Sequence, residues 1–367
     1  MTPIGVGLIG FGYAGRVFHA PLITATPGLE LRVLGTQRAA SETGYPDALV
    51  VPDRLAAARN PGVDLVVIAT PNESHAPLAE AALRAGKHVV VDKPFTITLE
   101  EARALTILAS DAGLVLSVFQ NRRWDSDFLG VRAAIAGGAL GDVVELRSEM
   151  SRYRPEIRDR WRERAGPGSG VWYDLGAHLV DQALLLFGPP ASVAADLRIQ
   201  RKGGTVVDWF HVLLSYGRSR VILSSSMLAA APAPRFVVRG TAASLIKPGW
   251  DRQEEQLVSG LRPGSPGWGV DPDPLTIHPG EPGGIREMRA PPGEYPAYYA
   301  ALRDAVAGAG EPPVTAAQGC GVMAVIEAGE RSAAEGRVVL PDFTSAERRA
   351  WAEFESKNRS AVPSVDR

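Results

Sequence analysis

Near the amino terminus, residues 6–15 read Val6-Gly7-Leu8-Ile9-Gly10-Phe11-Gly12-Tyr13-Ala14-Gly15. An apolar strand runs directly into a G-x-G-x-x-G motif, and a helix is plausible over Arg16–Ala25. In such a unit the first glycine permits a tight turn, the second lets the backbone approach a pyrophosphate, and the third lets the helix pack on the strand. The helix amino terminus offers free N–H groups to phosphates. A glycine-rich connection without a ligand is the alternative, but the position after a first strand favours dinucleotide binding by residues 10–15.

The rest of the first third of the chain alternates short apolar runs with amphipathic stretches such as Ala76–Ala85 and Leu99–Ala112. Strands that are apolar almost throughout and separated by helices indicate a parallel sheet covered on both faces. We therefore predict a doubly wound α/β domain over residues 1–122. The apolar runs are Ile4–Ile9, Leu29–Leu34, Leu65–Ala69, His88–Val91 and Leu114–Val118.

The pattern changes after Arg123. Alternating runs joined by short turns predict a large antiparallel or mixed sheet within an α+β domain over residues 123–345. Its predicted strands are Val143–Ser151, Val206–Tyr216, Arg220–Met227 and Arg235–Arg239. The Pro- and Gly-rich segment 260–294 is expected to be an irregular surface excursion. A capping box at Thr315 predicts a helix to about Glu335, and residues 346–367 are expected to form a C-terminal tail.

The composition excludes several classes of protein. The 367 residues carry a formal charge of -2, which gives no electrostatic reason to bind nucleic acid or an anionic membrane. The single cysteine, Cys320, allows neither an internal disulfide nor a thiolate metal site, so no metal is expected. No apolar run is long enough to span a bilayer, and no basic leader precedes the first strand. These features favour a cytoplasmic protein.

The end of the second predicted strand bears on the choice of cofactor. An NAD-binding domain usually has an acid there for the ribose 2′-hydroxyl. Here the sequence is Leu34-Gly35-Thr36-Gln37-Arg38, with no acid before Glu42. Arg38 could pair with a 2′-phosphate while Thr36 donates a hydrogen bond, although a solvated loop cation is the alternative. We predict NADP, with NAD less favoured.

Two further segments carry groups suited to alcohol oxidation. Lys93, within Asp92-Lys93-Pro94, follows a buried strand at the sheet edge where open α/β sheets bind ligands. Asp174 and His178 are four residues apart after a glycine-rich entry, which places both on one face of a helix. Lys93 can stabilise a developing alkoxide, and His178, which titrates near neutral pH, can take the hydroxyl proton. Asp174 can bind a second hydroxyl and hold its neighbours.

These three motifs occur together in one known family. Over residues 4–343 the chain resembles the family of glucose–fructose oxidoreductase, inositol dehydrogenase and the rhizopine-catabolism proteins (Gfo/Idh/MocA). Within that family it resembles NADP-dependent scyllo-inositol dehydrogenases and their uncharacterised bacterial relatives. The stretches that contribute to this resemblance are Gly12-Tyr13-Ala14, Asn121-Arg122-Arg123-Trp124-Asp125 and Asp159-Arg160-Trp161-Arg162. The resemblance implies a Rossmann domain, hydride transfer between NADP and a secondary alcohol of a cyclitol or sugar, and catalytic roles for Lys93, Asp174 and His178. It also implies a cis Lys93–Pro94 bond.

The resemblance supplies the remaining site predictions. It places Thr70, Pro71 and Asn72 beneath the cofactor with His75 beyond them, and Asp92, Lys93 and Pro94 against it. His75 could contact the cofactor, and capping of a helix amino terminus is an equal alternative. It makes Asn121, Tyr153 and Trp161 candidates for the substrate pocket, with ordinary packing as an equal alternative. It also implies a homodimer or homotetramer, with the open face of the second sheet covered by another subunit. Two departures from the family are Asp92 in place of Glu and Ser169 within the usual glycine triplet.

Several alternatives stay open at this point. A regulatory protein that senses NADP without turnover would share the fold, as would a glycosidase that uses tightly held NAD; retention of the three reacting groups argues against the first. The basic segment Arg152–Arg164 is either a salt-bridged surface loop or a lid over an anionic substrate. His19 is interpreted as structural. His88, His211 and His278 have no partner at metal-ligand spacing.

Overall fold

The structure, a computed structural model, describes residues 2–360, the last seven by their backbone alone. Its strands are β1 (Ile4–Ile9), β2 (Leu29–Gly35), β3 (Leu49–Val51), β4 (Leu65–Ile68), β5 (His88–Asp92), β6 (Leu116–Phe119), β7 (Val143–Glu149), β8 (Ser192–Arg198), β9 (Trp209–Tyr216), β10 (Ser219–Ser226), β11 (Phe236–Gly240), β12 (Ala243–Lys247), β13 (Leu275–Pro279) and β14 (Arg286–Met288). Its α-helices are α1 (Ala20–Ala25), α2 (Arg54–Ala58), α3 (His75–Arg84), α4 (Leu99–Asp111), α5 (Ser126–Ala136), α6 (Ala177–Phe187), α7 (Gln253–Val258), α8 (Pro296–Val306), α9 (Ala316–Glu335) and α10 (Ser345–Ser360).

The described chain separates into two compact units, and each is discontinuous in sequence. The first comprises the residues up to Trp124 with Gln253–Trp268 and Glu294–Cys320. The second comprises Asp125–Arg252, Gly269–Gly293 and the residues from Gly321 onward. The domain limits expected above at residues 122 and 345 stay a prediction. Of the expected tail, residues 361–367 lie outside the described part of the chain.

The first unit is built on a six-stranded sheet in the order β3-β2-β1-β4-β5-β6. Every pairing in it is parallel. The central strands β4 and β5 bury their apolar side chains completely, with Val67 and Val90 each 0 % exposed. This burial explains why the strands are apolar throughout, and it confirms the prediction of a doubly wound α/β domain.

The second unit contains an eight-stranded mixed sheet in the order β14-β13-β12-β11-β7-β10-β9-β8. Strands β7 and β10 pair in parallel, and the other neighbours are antiparallel. Burial alternates along the strands: Val221 and Leu223 of β10 point into the core, whereas Ile222 is half-buried. Alternation of this kind is what an antiparallel sheet with one packed face requires. The predicted mixed sheet is therefore confirmed.

One prediction about the second unit was wrong in part. The segment 260–294 was expected to be irregular, but it contains β13 and β14. Strand β13 pairs with β12 and β14, and its burial alternates: Leu275 and Ile277 are buried, and the interleaved Thr276 and His278 are only half-buried. A strand of this length between Pro- and Gly-rich stretches is specified by its neighbour in the sheet, which local composition does not reveal.

Candidate active site

The glycine loop directly follows β1. Gly10 has φ of 98°, and a Cβ at that position would collide with the carbonyl of Ala69. A Cβ at Gly15 would collide with the carbonyl oxygen of Gly10, so the third glycine allows the chain to return close to the turn. At Gly12 a Cβ would meet nothing within 4 Å, which leaves space for a ligand against the backbone. The helix begins with a π-helical turn over Gly15–His19 and continues as α1.

A distant segment contacts the loop within the same unit. The Tyr13 hydroxyl donates to Oε1 of Glu254 at 2.9 Å, and Arg122 pairs with Oε2 of the same carboxylate at 2.9 Å. Glu254 belongs to α7, which is separated from the loop by more than two hundred residues. Sequence reasoning assigned Tyr13 to the cofactor loop but missed Glu254, because nothing local to either residue indicates their contact.

The turn after β2 contains the residues predicted to distinguish NADP from NAD. Thr36 is buried, and its hydroxyl accepts a hydrogen bond from the Arg38 backbone N–H at 3.2 Å. The Arg38 side chain is exposed, and no carboxylate among residues 2–353 pairs with it. A fixed turn that presents an unneutralised guanidinium is a suitable partner for a phosphate.

The segment after β4 packs against the lysine motif through His75. His75 is almost fully buried, with Nδ1 2.9 Å from the Pro94 carbonyl and Nε2 3.0 Å from the Thr70 carbonyl. Burial lowers the pKa of His75, although Asp92 and the carbonyls around it act in the opposite direction. The Thr70 hydroxyl accepts from Ser74 at 2.7 Å, and Asn72 is buried in the short helical turn between them. His75 therefore links two predicted cofactor segments; its contact with the cofactor stays a prediction.

Asp92 and Lys93 lie at the carboxyl end of β5, and the Lys93–Pro94 peptide is cis, as the resemblance implied. Oδ1 of Asp92 accepts the Lys93 backbone N–H at 2.8 Å. Oδ2 faces Nε2 of His19 at 3.8 Å, and Nδ1 of His19 lies 2.6 Å from the Tyr299 hydroxyl. Burial acts to raise the pKa of Asp92, but His19, Lys93 and His75 outweigh it and hold that pKa below its ordinary value.

His19 thus belongs to a buried polar cluster with Asp92 and Tyr299. The sequence indicated only that His19 was structural, and Tyr299 received no assignment. His19 is 0 % exposed, and its ring lies against Phe119 with centroids 4.3 Å apart. Two features of the sequence could have indicated this cluster. His19 follows the glycine loop by one helical turn, and Asp92 stands where most of the family has Glu. Tyr299 lies 280 residues away in α8 and could not have been paired with it.

In the second unit, Asp174 lies in a π-helical turn over Trp172–Gly176, and His178 lies in the first turn of α6. Gly170 has φ of 83° and approaches the Val207 backbone closely, and the next residue donates to the Val207 carbonyl at 2.8 Å. The glycine-rich entry therefore lets this helix begin close to another backbone segment. His178 is buried, whereas the Asp174 side chain is 34 % exposed and lies 3.6 Å from Nε of Arg162.

The three predicted pocket residues have different surroundings. Asn121 is buried in the turn after β6, in the first unit. In the second unit, Tyr153 is largely exposed and Trp161 is partly buried, with the Arg162 guanidinium 4.7 Å from its ring centroid. Lys93 belongs to the first unit, and Asp174 and His178 to the second. Their joint action stays a prediction.

The described residues contain no group of three or more His, Cys, Asp or Glu side chains arranged to hold a metal ion. None of the described helices combines the length and apolar character needed to cross a bilayer.

Comparison with known proteins identifies relatives along most of the chain. The family described as "Oxidoreductase family, NAD-binding Rossmann fold" matches residues 4–120, and "Oxidoreductase family, C-terminal alpha/beta domain" matches residues 132–340. The Escherichia coli oxidoreductase YdgJ is 52 % identical over 333 residues, covering 90 % of this chain and 96 % of YdgJ. The Bacillus subtilis enzyme scyllo-inositol 2-dehydrogenase (NADP(+)) IolW is 37 % identical over 342 residues, covering 92 % of this chain and 96 % of IolW. A Klebsiella pneumoniae oxidoreductase crystal structure superposes with a TM-score of 0.90 at 47 % identity, covering 96 % of this chain and 99 % of that one.

Proposed function

Because the chain belongs to the Gfo/Idh/MocA oxidoreductase family, we propose that it is an NADP-dependent dehydrogenase of a secondary alcohol on a cyclitol or sugar. The observation that carries the proposal is the buried Lys93 at the carboxyl end of β5, where its backbone N–H donates to Oδ1 of Asp92. A relative with the printed activity scyllo-inositol 2-dehydrogenase (NADP(+)) supports both the cofactor and the substrate class.

The residues present fit a dinucleotide. The open side of Gly12 leaves room for a pyrophosphate, and the turn at Thr36 and Arg38 offers a hydroxyl and a cation to a 2′-phosphate. When bound, NADP supplies the nicotinamide that accepts or returns the hydride. Phe11, Tyr13, Ala14, Thr70, Pro71 and Asn72 complete the proposed cofactor site.

Side chains of the protein would accept the hydroxyl proton and stabilise the negative charge on the substrate oxygen. Removing the hydroxyl proton requires a cation beside the developing alkoxide, and the Lys93 ammonium suits that role. His178 is proposed to accept the proton, since an imidazole exchanges protons near neutral pH. Asp174, the most exposed of the three, is proposed to bind a second hydroxyl and orient the ring.

Initial rates of NADP+ reduction, followed at the nicotinamide absorbance across inositols and aldoses, test the proposal. We expect turnover with at least one compound, and a loss of about a hundredfold or more in kcat for Lys93→Ala and for His178→Ala. Tight NADP+ binding without turnover on a broad panel would instead support a regulatory protein. A cofactor that copurifies and does not exchange would support the glycosidase.

We also propose that the protein assembles as a homodimer or homotetramer through the eight-stranded sheet. The support is a row of half-buried apolar side chains on the face of that sheet opposite its buried core.

A further inference from the structure

The segment Arg152–Arg164, which follows β7, differs in charge from the rest of the chain. It contains six arginines and three acidic residues, whereas the whole protein has a formal charge of -2. A local excess of cations in a nearly neutral protein needs either compensation from elsewhere or an anionic ligand. Its contacts within the second unit distinguish these possibilities.

The segment is fixed to the unit by a buried arginine. Arg201 is 6 % exposed, and its Nε donates to Asp208 at 2.9 Å. Its Nη1 lies 3.2 Å from the Arg154 carbonyl, 3.3 Å from the Glu156 carbonyl and 3.0 Å from Oε2 of Glu163. The backbone of the segment is therefore held in one arrangement, because a buried guanidinium must keep its acceptors.

Two of the three acidic side chains of the segment, Glu163 and Asp159, form ion pairs. Glu163 binds Arg201, and Asp159 pairs with Arg164 at 2.6 Å. Arg162 faces Asp174 at 3.6 Å. These ion pairs do not include Arg154, Arg158 or Arg160.

Three arginines remain without an ion pair to any carboxylate among residues 2–353: Arg154, Arg158 and Arg160. Arg154 is half-buried, and its backbone N–H is fixed by the Met227 carbonyl at 2.7 Å. Burial lowers its pKa, the cations Arg152, Arg158 and Arg160 lower it further, and Asp174 acts in the opposite direction. A half-buried guanidinium beside like charges is costly unless a ligand compensates it.

We propose that Arg154, assisted by Arg158 and Arg160, binds an anionic group on the substrate, so that the substrate is an acidic polyol, either a sugar carboxylate or a phosphate monoester. The inference rests on the proposed function, because Asp174 is the group proposed to bind a substrate hydroxyl. A guanidinium binds either anion through paired N–H donors, so the two share one recognition chemistry. Neutral polyols remain substrates of lower kcat/KM.

The test compares glucose, glucuronate and glucose 6-phosphate as substrates of the full-length protein with saturating NADP+. We expect the wild type to prefer one anionic sugar by about tenfold in kcat/KM, since a hydrogen bond to a charged group is worth about that much. Arg154→Gln should raise KM for that sugar about tenfold, with kcat and the glucose kinetics nearly unchanged. The preference should weaken as salt concentration rises. The preferred anion identifies the carboxylate or the phosphate.

One further variant serves as a control, and another replaces Arg154→Gln if that variant does not fold. Arg198→Gln removes an exposed arginine that is paired with Asp196 in the same unit. It should change KM neither for glucose nor for the preferred anionic sugar. If Arg154→Gln does not fold, the exposed double variant Arg158→Gln/Arg160→Gln should reduce the same preference about threefold or more. Equal kcat/KM for glucose and both anionic sugars, or a preference that survives these substitutions, overturns the inference but not the dehydrogenase.

Absence of turnover with every sugar would count against the proposed function, and binding then decides the inference separately. Calorimetric titration of the NADP+-saturated protein with glucuronate and with glucose 6-phosphate should show binding that Arg154→Gln abolishes. No binding, or binding unchanged in Arg154→Gln, overturns the anion site. Weakened NADP+ affinity in Arg154→Gln would also overturn it, since the cluster would then serve the cofactor.

Discussion

At the scale of single residues, Arg38 makes the cofactor preference testable. Its guanidinium is exposed and follows a turn fixed by Thr36. Arg38→Ala should raise KM for NADP+ about tenfold or more, because a charge-assisted contact to the 2′-phosphate is lost. KM for NAD+ should change little. Both constants come from initial rates with the preferred polyol.

The control for Arg38 is Arg54→Ala, an exposed arginine in α2 that has no proposed role with the cofactor. It should leave both KM values within about twofold of the wild type, as expected for a surface substitution. Equal weakening of NADP+ and NAD+ by Arg38→Ala would contradict the assignment of Arg38 to the 2′-phosphate.

Asp92 gives a prediction about pH and stability. Its folded-state pKa is held below the ordinary value of 3.8, so the unfolded chain binds the proton more readily. The resulting stabilisation is complete above the unfolded pKa and is lost as pH falls through the folded pKa. Asp92→Asn should therefore lower the free energy of unfolding by about 1–3 kcal/mol at pH 7, as for a lost hydrogen bond to a charged group. The difference should shrink below about pH 4.

Urea unfolding of both proteins from pH 3 to pH 8 measures this difference. Asp53→Asn serves as the control, because Asp53 is an exposed helix cap whose Oδ1 accepts from Ala56, and an asparagine caps equally well. A destabilisation by Asp92→Asn that is the same at pH 3 and pH 7 would show that packing, and not the carboxylate charge, is responsible.

At the scale of secondary-structure elements, Trp172 connects the π-helical turn that bears Asp174 to helix α9. Its indole N–H donates to the Ile326 carbonyl at 3.0 Å, and its ring lies against Gly176 and Gly329. A Cβ on Gly329 would lie 2.6 Å from a ring carbon of Trp172. The two elements can approach this closely only because glycine has no side chain.

Gly329→Ala should therefore destabilise the protein. Alanine gains up to about 1 kcal/mol in helix propensity, but overpacking a buried ring costs about 1–3 kcal/mol, so the net effect should be a loss of stability. It should also change the near-ultraviolet circular dichroism from Trp172. The control is Gly284→Ala, where a Cβ meets nothing within 4 Å. Gly329→Ala that is as stable as the wild type, with an unchanged spectrum, would rule out the tight contact.

Patterns within single elements predicted the parallel sheet and the helix that Thr315 caps. Thr315 and Gln318 form the predicted capping box through two hydrogen bonds of 3.2 Å. The three-residue β3 and the seven-residue β8 were not predicted, because strand formation depends on neighbours in the sheet. The π-helical turn at Asp174 was also not predicted, since an i, i+4 spacing fits an α-helix and a π-helix alike.

At the scale of the whole molecule, the candidate site was predicted only where its residues lie in short motifs. Gly12, Lys93 and Asp174 were identified because local chemistry and order along the chain mark them. Contacts made by residues near these motifs became apparent only in the folded chain, since their partners lie far away in sequence: Glu254 for Tyr13, Tyr299 for His19 and Arg201 for Glu163. Long-range partners of this kind have no local signal in the sequence. Sequence patterns therefore indicate the proposed reacting groups better than the distant residues that pack around them.

The proposed assembly also belongs to the scale of the whole molecule, and the eight-stranded sheet offers a surface for it. Directly paired residues form a row across five strands on the half-buried face. The row contains Leu213, Ile222, Arg147, Val237 and Ile246, so four of its five members are apolar. Paired positions in a sheet point to the same side, so the apolar groups form two pairs on one face, Leu213 with Ile222 and Val237 with Ile246. The exposed Arg147 lies between the two pairs. A mostly apolar row of this kind fits a second copy of the same face, since twofold assemblies use self-complementary surfaces.

Leu213→Glu should disrupt such an assembly, because association would bury a carboxylate next to the apolar Ile222. We expect sedimentation velocity to show a dimer or tetramer for the wild type and a shift of the variant to monomer at micromolar concentration. Leu55→Glu, which alters a leucine that is 44 % exposed on α2, should assemble like the wild type. The proposed interface would be refuted by a monomeric wild type, or by a Leu213→Glu variant that retains the wild-type sedimentation coefficient. Loss of assembly in both variants would instead indicate a general effect of added negative charge.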